Sequence, residues 1–402
     1  MKLITAKFLI DENFEILQDY GILMNDKIVK IDKISKLLKE KNHTKFIDFK
    51  NSILAPAFVN AHVHLEFSAN KTTLKYGDFI AWLGSVIKNS KKLSQKCTDK
   101  IMQKAINDML KSGIATIGAI SSFGRDTDIL ATSPLNVVHF NEILGSNEAM
   151  IEQNFNAFKE RFSKSKLYQN ERFTPAISLH SPYSIHPKLA KLALNFAKEN
   201  NLIISTHFME SHHEKQWLES ASGDFKKHLL NFTKDPKPNF SPDEYFKLFN
   251  NHNTLFTHCV YAQNFKDFKT HHSITHCPSS NRLLGKKALN LRQIQKHKIN
   301  LSIGTDGLSS NLSLNMFDEL RNAIFTHQQY KLNSLIKVLF RAATLSGANA
   351  LKTNNGVLKQ GKSADIMVLK ALKCDNNDML TQLILHTKNV KNLIIKGKIC
   401  NL

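Results

Sequence analysis

Cysteine is scarce in this chain, and what there is of it is scattered. The five residues, Cys97, Cys259, Cys277, Cys374 and Cys400, show no CxxC spacing. An odd, sparse set argues against a disulfide framework and a cysteine zinc knuckle, and points to reduced thiols. Long apolar runs are missing as well, since no stretch reaches the ~20 residues that span a bilayer. The opening "MKLITAKFLIDENFEILQ" turns acidic and polar too early for a secretory signal. These absences lead to the expectation of a soluble, cytoplasmic protein without a membrane partner. No GxGxxG motif opens a strand–helix unit, which argues against a dinucleotide-binding fold.

Acidic residues are also few. Against 34 Asp and Glu stand 55 Lys and Arg, a formal net charge of +21. A charge of this size raises the question of nucleic acid. Yet the basic residues are mostly lysine and lie spread along the chain, with no basic tail, arginine-rich arm or recognisable nucleic-acid module. A lysine-rich solvated surface accounts for the charge, and no nucleic-acid partner is expected. Attraction of anionic small substrates is the weaker functional reading.

With 402 residues, the chain has room for one large domain and an appendage, or for two ordinary domains. Both ends carry short alternating runs broken by Asn, Asp and Gly, such as "KLITAKFLI", "KIVKID", "ADIMVLK" and "VKNLIIKGKIC". They read as an antiparallel sheet, and the two ends are expected to pair into one small β-domain. Between them, eight strand-length apolar runs occur at 57–64, 113–120, 135–143, 174–180, 202–207, 254–258, 273–277 and 299–306. Helical patterns separate most of them, as in 99–113 and 186–201. Strand–helix alternation repeated eight times fits a (β/α)8 TIM barrel, an α/β fold, better than an open doubly wound sheet.

The polar residues fall at the ends of these runs. In "NAHVHLEFS", His62 and His64 stand two apart on a strand and therefore face one way. The fourth run ends on His180, the fifth on His207, the sixth on His258 and the eighth on Asp306. In a parallel barrel all C-terminal strand ends meet at one face. Any one of these histidines alone reads as an ordinary polar cap, but five strand ends in register read as a site. Three histidines and an aspartate suit a borderline divalent ion, Zn2+ or Fe2+, with a position left for water. "THFMES" adds Glu210 three residues after His207, where a carboxylate can carry a proton between water and a leaving group. A helix-start glutamate is the bland alternative. The adjoining His212, His213 and Glu214 read as a solvated helix start.

Taken together, "PAFVNAHVHLEFS" (56–68), "LHSPYSIHPKLA" (179–190), "STHFMESHHE" (205–214), "FTHCVY" (256–261), "THCPSSNRLL" (275–284), "IGTDGLSSN" (303–311) and "GVLKQGKSADIMVL" (356–369) resemble the amidohydrolase superfamily. The likeness is to its branch of metal-dependent aminohydrolases, and the pieces come in family order over most of the chain. The resemblance implies one divalent metal held by His62, His64, His207 and Asp306. It implies Glu210, His258 and Asp306 as the groups that move protons and stabilise the attacked carbon, and His180 as a contact to the substrate ring. Two-metal members carry a carboxylated lysine at a strand end; here His180 occupies that place, so one ion is expected. It also implies a small β-sandwich from residues 1–54 and 355–402 beside a barrel of residues 55–354.

The substrate is less constrained. "NAHVHLEFS", "YGDFIAWL" (76–83) and "FNEILGSN" (140–147) are similar to the 6-aminodeoxyfutalosine deaminases of menaquinone biosynthesis. That likeness implies an adenine nucleoside converted to futalosine plus ammonia. Deamination of adenosine, methylthioadenosine or S-adenosylhomocysteine, or hydrolysis of guanine or a triazine, stays open. So does a ligand-binding protein on a decayed scaffold. Glu66, Trp82, Arg125 and Glu142 are pocket candidates, with loop packing or surface as the alternative for each. The oligomeric state is open, a homodimer included.

Overall fold

The computed structural model describes residues 1–40 and 45–402. In chain order the first strands are β1 (Lys2–Thr5), β2 (Phe8–Ile10), β3 (Ile16–Gln18), β4 (Tyr20–Met24), β5 (Ile28–Lys33), β6 (Lys45–Asp48) and β7 (Ser52–Pro56). Eight more follow: β8 (Phe58–Val63), β9 (Ile114–Ser121), β10 (Asn136–Ile143), β11 (Phe173–Leu179), β12 (Ile204–Phe208), β13 (Thr254–His258), β14 (His272–His276) and β15 (Asn300–Ile303). The last three are β16 (Ile366–Lys370), β17 (Asn392–Ile395) and β18 (Lys398–Ile399).

Strands β8 to β15 form one parallel sheet in sequence order. Residues in this sheet are buried on both faces: every position of "IATIGAIS" in β9 and "NVVHFNEI" in β10 is buried. Such two-sided burial is why these runs read as continuous rather than alternating. The intervening helices cover the outer face with apolar stripes. In the helix Asp99–Lys111 the stripe is Met102, Ala105, Ile106, Met109 and Leu110, and in Pro187–Glu199 it is Leu189, Ala190, Ala193, Leu194 and Ala197. The first and last barrel strands come together through bonds that are partly side-chain. Asp306 N–H donates to the His62 carbonyl at 3.0 Å, and Thr305 N–H donates to Asn60 Oδ1 at 3.0 Å. The architecture is a TIM barrel.

The remaining strands form two stacked sheets, ordered β5-β4-β1-β6 and β18-β17-β16-β7-β2-β3. Ile4, Leu9, Ile22, Leu54, Ile366 and Ile394 share one core between them. Chain ends do meet here: β7 pairs antiparallel with β16, Ile366 opposite Pro56. The expectation of a purely antiparallel sheet is corrected, because β1 pairs with β6 and β2 with β7 in parallel. The reason is topological. β1 and β2 are consecutive yet lie in opposite sheets, as do β6 and β7, so each later strand lies parallel to the earlier one.

Among the described residues, no helix is long and apolar enough to cross a membrane.

Candidate active site

The histidine pair opens from an irregularity in β8. Asn60 lies opposite Ile117 and Val63 opposite Ala119, so β8 carries one residue more than β9 over this stretch. A bulge of this kind re-aims side chains at a strand end. The partner residue is Gly118, where a Cβ would stand 2.4 Å from the Ala61 carbonyl oxygen. Across the closure, Gly304 does the same for His62, whose Cβ would be 2.7 Å from an added Cβ. Only glycine lets these backbones approach.

Four donor atoms then converge. His64 Nε2 lies 3.1 Å from His62 Nε2 and 3.3 Å from His207 Nε2. Asp306 Oδ1 lies 3.5 Å from both His62 Nε2 and His64 Nε2. A tetrahedral ion with bonds of ~2.0–2.1 Å separates its ligand atoms by about 3.3–3.4 Å, so the spacing fits such an ion. The protonation states fit as well. Burial, reinforced by His62, pushes the His64 imidazole down to about 4. Burial, together with His62, His180 and His64, drives His207 well below its usual value. Both rings are therefore neutral and offer lone pairs. His207 Nδ1–H donates to the His180 carbonyl at 2.9 Å, which leaves Nε2 bare toward the centre. His62 Nδ1 is paired with Thr257 Oγ1 at 3.2 Å.

Asp306 is held from its other oxygen. Ser280 and Ser310 hydroxyls donate to Oδ2 at 2.8 and 2.7 Å. Burial raises its carboxyl, but the hydrogen bond from His62 and the surrounding His64, His62 and His258 imidazoles outweigh this and hold it well below the usual range. It stays ionised. Glu210 behaves oppositely: burial, then the Asp306 charge, push it well above the usual range. One carboxylate and one carboxylic acid thus share a site, the pairing that acid–base chemistry requires. His258 Nε2 faces both, 3.6 Å from Glu210 Oε1 and 4.0 Å from Asp306 Oδ2.

Over these groups opens a cavity of 210 Å³. His180 lines it together with Trp82 and Glu142, walled by Phe67, Phe123 and Tyr183. No lysine or arginine is among the lining residues. His180 Nδ1 is engaged by the Ser181 and Ser184 hydroxyls at 2.9 and 2.7 Å, which turns its other nitrogen inward. Glu142 receives the Ser122 hydroxyl on Oε2 at 2.5 Å, while Oε1 is buried without a partner.

His62, His64, His180, His207, His258, Glu210 and Asp306 therefore all reach one place. Three details differ from the strand-end reading. His64 sits one residue past β8, His180 one residue past β11, and Asp306 three residues past β15 at φ 56°. Two pocket candidates lie elsewhere. Arg125 is tied to Ser94 and the Cys97 carbonyl. Glu66 lies beneath the cavity and accepts the backbone N–H groups of Ser122, Phe123 and Arg125. The solvated helix start is also corrected. His213 and Glu214 are buried; Glu214 accepts the N–H groups of Met209 and Glu210 at 3.0 and 2.8 Å and so fixes the Glu210 backbone. Ser280, Ser310 and Thr257 carry no sequence signal beyond membership of the quoted motifs, because a serine or threonine has no pattern of its own.

The Amidohydrolase family model matches residues 53–400. This chain belongs to the amidohydrolase family. It is 41% identical over 390 residues to the aminodeoxyfutalosine deaminase of Nitratiruptor sp., covering 95% of each chain. It is 37% identical over 400 residues to a Helicobacter pylori protein named adenosine deaminase, covering 97% of each. Among solved structures it resembles Helicobacter pylori aminofutalosine deaminase in complex with methylthio-coformycin. There the TM-score is 0.95 at 36% identity, with both chains fully covered. The family is one of hydrolases, and the histidine cluster of this chain offers donor atoms suited to a divalent metal.

Proposed function

We infer that this amidohydrolase is a hydrolytic deaminase of an adenine nucleoside, with 6-aminodeoxyfutalosine as substrate and futalosine plus ammonia as products. The observation that carries the reading is the pairing of a raised Glu210 with an ionised Asp306 beside four converging donors. The names of the Nitratiruptor relative and the Helicobacter structure support the substrate, and the place in menaquinone biosynthesis is the one that the sequence resemblance implies. His62, His64, His207 and Asp306 would hold one ion, Zn2+ or Fe2+, since nitrogen and carboxylate donors suit both.

When bound, the ion supplies Lewis acidity and brings the pKa of a water down to about 7. Asp306, ionised, is placed to take a proton from the attacking water as the water's oxygen bonds to the amino-bearing ring carbon. Glu210, protonated at rest, gives its proton to the adjacent ring nitrogen, which receives the electron pair of the C=N bond. His258 faces the same carbon, where its Nε2 can accept a hydrogen bond from the attacking water and from the hydroxyl it becomes. Asp306 then passes the proton it took to the amino group, the C–N bond breaks with its electron pair on nitrogen, ammonia leaves, and the hydroxyl proton returns to Glu210 as the carbonyl forms. His180 contacts the ring from the cavity wall.

One feature favours a second reading. No cation lines the cavity to meet the carboxylate of an aminodeoxyfutalosine, and a relative is named for adenosine. Ammonia release from aminodeoxyfutalosine, adenosine, methylthioadenosine, S-adenosylhomocysteine and guanine separates these. The highest kcat/KM is expected for aminodeoxyfutalosine; an equal or higher value for adenosine overturns that choice. Absence of both bound metal and turnover would instead mean a binding protein on a decayed scaffold.

A further inference from the structure

Beneath the site lies a chain of polar side chains that touches nothing that reacts. His276 ends β14, Asn281 follows five residues later, and His327 comes just after the helix Met316–Thr326. All three are buried. His258 Nδ1 is 2.8 Å from Asn281 Oδ1. Asn281 Nδ2 is 3.2 Å from His276 Nδ1. His276 Nε2 is 3.0 Å from His327 Nε2.

Each link dictates the next. An amide oxygen only accepts, so His258 carries its proton on Nδ1. An amide nitrogen only donates, so His276 Nδ1 is bare and its proton sits on Nε2. That N–H donates to His327 Nε2, whose own proton is then on Nδ1. Burial drives His276 well below its usual value and His327 down to about 4. Both rings are neutral, with one proton each, so the orientation of the Asn281 amide sets the direction of the chain. At its active-site end His258 Nε2 is left as a lone pair. It is buried and has no hydrogen-bond partner, and the Glu210 and Asp306 carboxyl groups are its neighbours.

We propose that Asn281, His276 and His327 are positioning residues that hold His258 in the Nδ1–H tautomer, so that its Nε2 enters the reaction as an acceptor. The opposite tautomer would set a bare Nδ1 against the Asn281 carbonyl oxygen and turn an N–H toward the attacked carbon. The functional consequence rests on His258 facing that carbon; the tautomer does not.

The test is imidazole nitrogen NMR on metal-loaded protein labelled with 15N-histidine. The His258 signals are assigned by their loss in His258→Gln. A protonated Nδ1 and a bare Nε2 are expected. His276→Gln keeps an oxygen to accept from Asn281, so the tautomer persists and kcat stays within about twofold. His276→Leu removes the acceptor and frees the Asn281 amide to turn. A mixture of His258 tautomers is then expected, with kcat lowered on the order of tenfold while KM and metal content hold. A wild-type His258 protonated on Nε2 overturns the proposal without any variant. So does His276→Leu with unchanged tautomer and kcat, or equal losses in both variants with the tautomer intact. If no nucleoside is turned over, the deaminase reading fails while the tautomer measurement still stands.

Discussion

Replacing His64 with alanine removes one of four donors around a point that needs all of them. His64 Nε2 lies 3.1 Å from His62 Nε2 and 3.3 Å from His207 Nε2, so its loss leaves an incomplete shell. Purified His64→Ala is expected to hold metal far below stoichiometry and to lack turnover; full metal by elemental analysis would remove it from the ligand set. Glu210 calls for a different comparison. Glu210→Gln keeps shape and hydrogen bonding but cannot carry a proton, so metal and inhibitor affinity should persist while kcat falls on the order of a hundredfold or more. Asp306→Asn should weaken metal binding and chemistry together. Near-normal kcat in Glu210→Gln would pass the proton to another group, His258 first. These residues were legible because their types and strand-end positions say what they can do. Asn281, His276 and Ser310 were not, since their meaning lies in which side chain they touch, and that is decided by loops folding across tens of residues.

Strands were legible for a related reason. A strand buried on both faces is a short unbroken apolar run, and eight of these in alternation with helical patterns leave few other architectures. What the pattern could not convey is how the strands end. His258 and Asp306 have φ of 74° and 56°, a left-handed backbone that costs on the order of 1–3 kcal/mol at a non-glycine residue. Neither residue type announces it; the surrounding hydrogen bonds impose it. The helix Met316–Thr326 is part of that support. Its Glu319 accepts the Ser279 N–H at 2.9 Å, the Ser279 hydroxyl at 2.6 Å and the Asn311 amide at 2.8 Å, joining two site loops. Burial raises this carboxyl to about 7. The folded state therefore keeps its proton between its unfolded pKa of about 4.3 and about 7, while the unfolded chain loses it. Stability from this group is full below the lower value and falls as pH rises through the window. Glu319→Gln should flatten that part of the profile, read as urea midpoints from pH 5 to 8. An unchanged slope would mean that Glu319 is ionised throughout.

At the scale of the whole molecule, the two chain ends and the barrel meet at one buried carboxylate. Asp365 immediately precedes β16 and is almost fully buried. Its Oδ2 accepts from the Asn136 and Asn355 amides at 2.9 and 2.7 Å, and its Oδ1 from Lys396 N–H at 2.7 Å and the Ser363 hydroxyl at 3.1 Å. Asn136 begins barrel strand β10, whereas Lys396 follows β17 of the terminal sheet. One side chain thus ties the barrel to the sandwich, far along the chain from the metal-ligating positions. The similarity of both ends in texture hinted that they pair, but a lone aspartate in "KSADIMVL" carried no sign of this task. Asp365→Ala would leave several buried donors without an acceptor, at about 1–3 kcal/mol for each that water cannot reach. A loss of roughly 3 kcal/mol in unfolding free energy is expected. Because the barrel's C-terminal face is built from other contacts, metal content and kcat at low temperature should match the parent protein. Denaturant melts alongside metal analysis and ammonia release check both halves. A variant that keeps its stability but loses metal would show that the sandwich reaches the site, and that barrel and sandwich are coupled in function as well as in folding.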